Sequence, residues 1–192
     1  MSRAAVTSTT SRPKRPKKVK PPASLTAHRC AILAVDPGET SGWSIWANGQ
    51  LRAYGTCDVF GAVPSQVITR LLEEFGPHMA VVERPFMVRF GSQTNIGTAD
   101  RIWRKRLEEA RLHTRTIRVY PATWRARTLG HGWAAAKRDA VHVREGIVSA
   151  ELSGETGLHP DAAAAVCIGR WACFAGEVAA KMPKARTREV AA

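Results

Sequence analysis

The sequence predicts an α/β fold, a single five-stranded mixed sheet with helices on both faces. Three observations predict it. Residues 31–35 (AILAV) and 79–82 (MAVV) are short, continuous apolar runs, as expected of strands buried on both sides, and an acid follows each at once, Asp36 and Glu83. Between them lie two extended segments joined by Asn48-Gly49, a hairpin signal because a type I′ turn needs positive φ at both central residues. Beyond residue 79 the pattern alternates strand and helix, which places parallel strands beside an antiparallel meander.

Taken in order, the first strand ends in the turn chemistry of Asp36-Pro37-Gly38. Residues 42–47 (GWSIWA) alternate apolar and polar positions, and 51–57 (LRAYGTC) resume in extended style. Val67, Ile68, Leu71, Leu72 and Phe75 recur at helical spacing over 63–75. After the strand at 79–82, a helix is expected from about Ser92 to His113, with Ile96, Ala99, Trp103, Leu107 and Ala110 on one stripe. Trp103 on that stripe suits the core or a subunit contact better than a base platform. Residues 115–120 (RTIRVY) read as the fifth strand, and helices are expected near 122–128, 134–150 and 160–179.

A chain of 192 residues with unpatterned ends has room for one domain of roughly 150 residues. The expected division is a basic tail at 1–29, a folded domain at 30–180 and a second basic tail at 181–192. The net charge of +13 is unevenly spread. Residues 1–30 carry eight cations and no acid, and residues 181–192 carry four cations against Glu189, which leaves +2 for the residues between. Segment 11–23 interleaves Arg and Lys with four prolines and has no apolar period, so it cannot bury enough surface to order itself. Such tails attract polyanions without choosing a sequence; a solubilising or targeting tail has the same composition. No run of about 18 uncharged apolar residues exists, so no membrane span is expected. Cys30, Cys57, Cys167 and Cys173 form no C-x-x-C pair and no apolar h-region follows the basic amino terminus, as in a cytoplasmic, nucleoid-associated protein with reduced thiols.

The acids carry the chemistry. Asp36 and Glu83 each stand just past an apolar strand, so central parallel neighbours would bring them to one end of the sheet. Asp161 follows Pro160, which suits a first helical position, and shares a helix face with Ala165, Ile168 and Ala172. Taken alone, an Asp there simply stabilises a helix N-terminus. Three carboxylates from two strand ends and one helix start fit Mg²⁺, which takes a few carboxylates and keeps waters and phosphate oxygens as its other ligands. Two ions, with Mn²⁺ as the alternative metal, would clamp an attacking water and a leaving 3′ oxygen.

Four motifs in order resemble those of the RuvC Holliday-junction resolvases, within the RNase H-like superfamily. They are Asp36-Pro37-Gly38 with Ser41-Gly42, Ala80 through Met87, Val119-Tyr120-Pro121-Ala122 with the later Lys137, and Asp161-Ala162 through Ile168. The resemblance runs from about Cys30 to Ala179 and implies an RNase H-like fold, a homodimer with two active sites, and paired symmetric nicks in a four-way junction. By position it implies that Asp36, Glu83 and Asp161 ligate the metals, that Lys137 contacts the scissile strand, and that Phe86 stacks on or wedges into bases at the junction centre. The chain departs from the family at one point. The family places an Asp or His three residues before the final Asp, where this chain has Leu158. His159 stands two before, as a helix cap that either turns toward the metals or is structural, and Glu155 is a weaker substitute.

Residues 84–127 carry eleven cations against three acids. Arg104–Glu108 and Lys105–Glu109 have the spacing of helix-face ion pairs. Arg84 and Arg89 flank Phe86 in an expected loop and suit phosphate contacts. Phe86 has a second reading as a core cap, and the loop Gly130-His131-Gly132-Trp133 is a further place for a DNA contact. The competing functions are a nuclease of the same fold acting on flaps, forks or RNA–DNA hybrids, and a catalytically inert DNA-binding module. A sugar-kinase or actin-like ATPase begins with a similar strand and Asp, but needs two such domains and a further Gly-rich phosphate turn.

Overall fold

The computed structural model describes residues 31–60, 64–84 and 93–181. Five strands make one sheet: β1 (Ala31–Asp36), β2 (Thr40–Ala47), β3 (Gln50–Asp58), β4 (Met79–Glu83) and β5 (Thr116–Val119). Their order across the sheet is β3-β2-β1-β4-β5. The first three form the expected antiparallel meander, and β4 and β5 add parallel to β1. Asn48 and Gly49 have φ of 54° and 76°, as a type I′ hairpin turn demands. The α/β class, the mixed five-stranded sheet and the helices on both faces are as the sequence predicted.

Alternation along the strands divides the core. Leu33, Val35, Ala80 and Val82 face α1 (Pro64–Phe75) and α2 (Gln93–Glu109), packing with Ile68, Leu71, Ala99, Trp103 and Leu107. Ile32, Ala34, Met79 and Val81 face the other way, toward α3 (Pro121–Thr128), α4 (Arg138–Ser153) and α5 (Pro160–Phe174). Trp103 is fully buried, which settles it as a core residue. A short α6 (Gly176–Lys181) follows an extended Ala175, so the helix expected over 160–179 is two pieces.

Two boundaries moved for physical reasons. The helix expected to reach His113 stops at Glu109, because Arg111 adopts a left-handed φ of 58° and Leu112 turns back into the core, its N–H donating to the Leu107 carbonyl at 2.7 Å. The helix expected from Ala134 begins at Arg138, because Gly132 is left-handed and Ala136 and Lys137 are extended.

The central helix is α5, buried on almost every side between Ala162 and Ile168 rather than on one face, since α3 and α4 cover what the sheet does not. Its seat on β2 is unusually close. A Cβ added at Gly42 would lie 1.8 Å from the Asp161 carbonyl oxygen, and one at Gly169 would lie 2.0 Å from Trp46 Nε1. Ser44 Oγ donates to the Ala165 carbonyl at 2.7 Å and accepts from Trp46 Nε1 at 3.1 Å, fastening strand to helix inside the core. Only a residue without a side chain lets the start of α5 lie on the strand at Gly42.

Gly42→Ala is therefore expected to destabilise the fold by about 1–3 kcal/mol through overpacking. Gly146→Ala, in the middle of α4 with nothing within 4 Å of the added Cβ, is expected to stabilise it by about 0.5–1 kcal/mol. Urea denaturation of both variants checks the pair. Equal midpoints would show that the α5–β2 contact yields at no cost.

Candidate active site

Asp36 and Glu83 end β1 and β4, and the preceding residues Val35 and Val82 are register partners in the parallel pair. The two acids thus stand level at the carboxyl end of the sheet's centre. Strand alternation puts both on the side of Ile32, Ala34, Met79 and Val81, the side that α5 covers. The antiparallel partner of Asp36 is Gly42, the residue on which Asp161 rests. Three acids expected to meet are brought to one place by two strand ends and one close helix approach. Ser41 closes the intervening turn, its Oγ donating to the Gly38 carbonyl at 2.9 Å.

The structure adds four residues that sequence reasoning missed. Trp124 of α3 donates from Nε1 to Glu83 Oε2 at 2.5 Å, leaving the other carboxylate oxygen to the site. Glu145 of α4 is completely buried, with Oε1 3.4 Å from Arg125 Nε and Oε2 3.1 Å from His142 Nδ1. His142 Nε2 accepts from Arg138 Nε at 3.0 Å, so the ring bridges Arg138 and Glu145. Arg125 also stacks over the Trp124 ring, 5.2 Å from its centroid. A signal for Glu145 existed: it interrupts the apolar stripe Val141, Val148, Leu152 of α4, where a lone carboxylate must find a partner. Nothing in the sequence marked Trp124 or Arg125, because their roles depend on how α3 packs.

Burial raises the proton affinity of every acid here, and repulsion from neighbouring acids adds to it for Asp36 and Glu83. Asp36 is held well above the usual carboxylate range, first by burial and then by the charges of Glu83, Asp161 and Glu145. Burial pushes Glu83 to about 7 against the opposing pull of Arg125 and the Trp124 hydrogen bond. Glu145 is raised by burial, opposed by Arg125 and His142. Asp161 is raised by burial, opposed by His159, His142 and Arg138. Arg125 is thus the one cation that counters Asp36, Glu83 and Glu145 alike.

The other expected site residues divide. His159 caps α5 as anticipated, its Nδ1 accepting from the Asp161 N–H at 3.3 Å and standing 3.4 Å from Asp161 Oδ2. Glu155 is turned away, accepting from the Tyr54 hydroxyl at 2.5 Å. Lys137 is the exposed N-cap residue of α4, one position before Arg138, and makes no ion pair among the described residues. Arg84 is bound to Tyr120, with Nη1 donating to the hydroxyl at 2.8 Å and the guanidinium 4.7 Å from the ring centre. Phe86 and Arg89 lie outside the described residues. The expected Arg104–Glu108 and Lys105–Glu109 pairs are not formed. Asp100, nearly buried, takes Arg104 at 3.4 Å and also Arg118 from β5, while Arg106 pairs with Glu109 at 2.6 Å.

Among the described residues no three His, Cys, Asp or Glu side chains stand close enough to enclose a metal ion. Mg²⁺ does not need such a cage, since one or two carboxylates, waters and substrate phosphates suffice. The donor set fits that ion: hard oxygens on Asp36, Glu83 and Asp161, with more negative charge than Arg125 offsets.

No protein-family model matches the chain, and no curated relative does. Among solved structures it is similar to Thermus thermophilus RuvC, at 17% identity over 78% of this chain and 96% of that one, with a TM-score of 0.59. The same protein in complex with a Holliday-junction substrate gives 18% identity, 79% and 97% coverage, and a TM-score of 0.61. The fowlpox virus Holliday junction resolvase gives 13% identity, 72% and 94% coverage, and a TM-score of 0.50. The fold is thus that of the RuvC-like resolvases, the likeness that the motifs implied.

A carboxyl whose folded-state proton affinity is raised contributes stability below its unfolded value and loses it as pH rises through the folded one. For Glu83 that window runs from 4.5 to about 7. In chelator, the thermal midpoint is expected to fall between about pH 5 and pH 8, and to fall less in Glu83→Gln. A wild-type midpoint that climbs across the same range would contradict this reading of the site.

Proposed function

We propose that this chain is a metal-dependent endonuclease acting on branched DNA, with the four-way junction as its preferred substrate and a homodimer making paired nicks. The observation that carries the proposal is the level placement of Asp36 and Glu83 at adjacent parallel strand ends, with Asp161 seated over Gly42 beside them. The likeness in fold to resolvases, one of them solved with its junction, supports the choice of substrate.

Asp36, Glu83 and Asp161 would hold Mg²⁺ or Mn²⁺, with His159 at the margin. When bound, two such ions supply charge stabilisation to the attacking water and the leaving 3′ oxygen. The chain does the rest. Trp124 fixes one oxygen of Glu83 and so aims the other. Arg125, steadied by Glu145 and Trp124, limits repulsion among the acids before any ion arrives. Lys137, exposed at the start of α4, is free to meet the scissile strand. Phe86, three residues past Glu83, would unstack a base at the crossover, with Arg84 and Arg89 toward the backbone. The basic tails add affinity without selectivity.

Nicking of a mobile four-way junction, compared with a fork, a flap, an RNA–DNA hybrid and plain duplex, with and without Mg²⁺, tests the proposal. Asp36→Asn, Glu83→Gln and Asp161→Asn are each expected to abolish cleavage while junction binding stays within a few-fold, because affinity rests on Lys and Arg. Full activity in any one of them removes that residue from the site. Binding without metal-dependent cleavage in the wild type would favour an inert DNA-binding module, and faster cutting of forks or hybrids would move the substrate.

A further inference from the structure

Helices α3, α4 and α5 enclose a second hollow, about 410 Å³, that the acids do not use. Arg127, Arg144 and Arg170 line it, one from each helix, over a floor that includes Val148 and Trp171. Among the described residues none of the three arginines forms an ion pair, whereas Arg104, Arg106, Arg118 and Arg125 all do. Glu151 is the single acid in the lining. Two donors there lack acceptors: Arg144 Nε and Trp171 Nε1 are both buried without a hydrogen-bond partner, and Trp171 is only 3% exposed. The lining thus carries three guanidinium charges against one carboxylate.

Helix dipoles do not account for the cluster. That attraction is confined to the last turn, which holds Arg127 of α3, but Arg144 lies mid-way along α4 and Arg170 precedes the final turn of α5. What three guanidinium forks complement is a phosphate, which accepts bidentate hydrogen bonds from arginine. The site is also distinct from the acids. Asp161 and Arg170 are nine residues apart on one helix, about 14 Å along its axis, so one phosphate cannot serve both.

We infer that this hollow grips a backbone phosphate of a DNA arm remote from the scissile one, an inference that rests on the reading of the chain as a nuclease of branched DNA. Arg127 is exposed and Arg144 and Arg170 are half-buried, so a phosphate on a duplex surface can reach them while the aromatic floor excludes water behind it. Arg170, lying 4.2 Å from the centre of the exposed Phe174 ring, is held at the rim.

The test uses the full chain with Arg127, Arg144 and Arg170 all changed to Gln, beside a control with Arg52→Gln, Arg70→Gln and Arg111→Gln, which removes the same charge elsewhere. Junction affinity is measured across salt concentrations. The hollow variant is expected to bind about tenfold more weakly at low salt, with a slope of log affinity against log salt shallower by about 1, as for one lost phosphate contact. Hydroxyl-radical footprinting should lose protection at a position on one arm while protection at the cut remains. The control should keep that footprint. If the triple variant does not fold, Arg127→Glu with Arg170→Glu leaves Arg144 in place and gives the same readouts. A native-like variant with wild-type slope and footprint overturns the inference, as does stabilisation by inorganic phosphate that depends on the arginines while DNA binding does not. If the wild type itself neither binds nor cuts branched DNA, the failure belongs to the functional proposal instead.

Discussion

The contact between the first turn of α5 and Gly42 of β2 governs the rest of the molecule. A helix normally stands about 10 Å off a sheet because side chains fill the gap. Here the Asp161 carbonyl oxygen occupies the space a Cβ would take, and Gly169 lets Trp46 in by the same means one helical span further on. Because Gly42 is also the register partner of Asp36, the contact converts a packing detail into a chemical one. It sets an acid from the end of the chain beside an acid from its beginning. The Ser44 hydroxyl, between the Ala165 carbonyl and Trp46 Nε1, locks the helix at that height.

Once α5 is so placed, the acids have nowhere to spread. Burial is the largest influence on each of the four, and their mutual charge adds to it for Asp36 and Glu83. Such a cluster is costly to a fold and is retained where it serves a function. The helices limit the cost with three devices: the Trp124 indole on Glu83, the Arg125 guanidinium beside Glu145, and the relay from Arg138 through His142 to Glu145. Of the three only Arg125 counters Asp36, too weakly to neutralise it against burial and three neighbouring acids. A divalent cation with open coordination positions would do so and would bring the phosphate chemistry with it.

What was legible in the sequence was local. The hairpin followed from Asn48-Gly49, the buried strands from uninterrupted apolar runs, and the start of α5 from His159-Pro160-Asp161, each readable within a few residues. Asp36 and Glu83 could be assigned to one sheet end because strand alternation and parallel order leave few alternatives. The helix boundaries at Glu109 and Arg138 could not be read, since Arg111 takes a left-handed conformation without being Gly or Asn, and Lys137 caps α4 without a capping side chain. Asp100 illustrates the same limit. Helical spacing offered Arg104 and Lys105 other partners, but a carboxylate buried against β5 recruits Arg118 across the fold and draws Arg104 with it. Trp124 and Arg125 were invisible because only the packing of α3 over α5 brings them to Glu83, whereas Glu145 could be read as odd in an apolar stripe but not assigned a partner.

Carboxyls with proton affinities raised in this way must give up protons if a divalent metal binds among them. Calorimetric titration of the metal-free chain with Mg²⁺ or Mn²⁺ at about pH 6.5, in buffers of different ionisation enthalpy, counts the protons released on binding. With Glu83 at about 7 and Asp36 held by burial well above the usual carboxylate range, binding should release protons into the buffer, and Glu83→Gln should release fewer. Metal binding with no proton release, or no binding at all in the intact protein, would contradict the account.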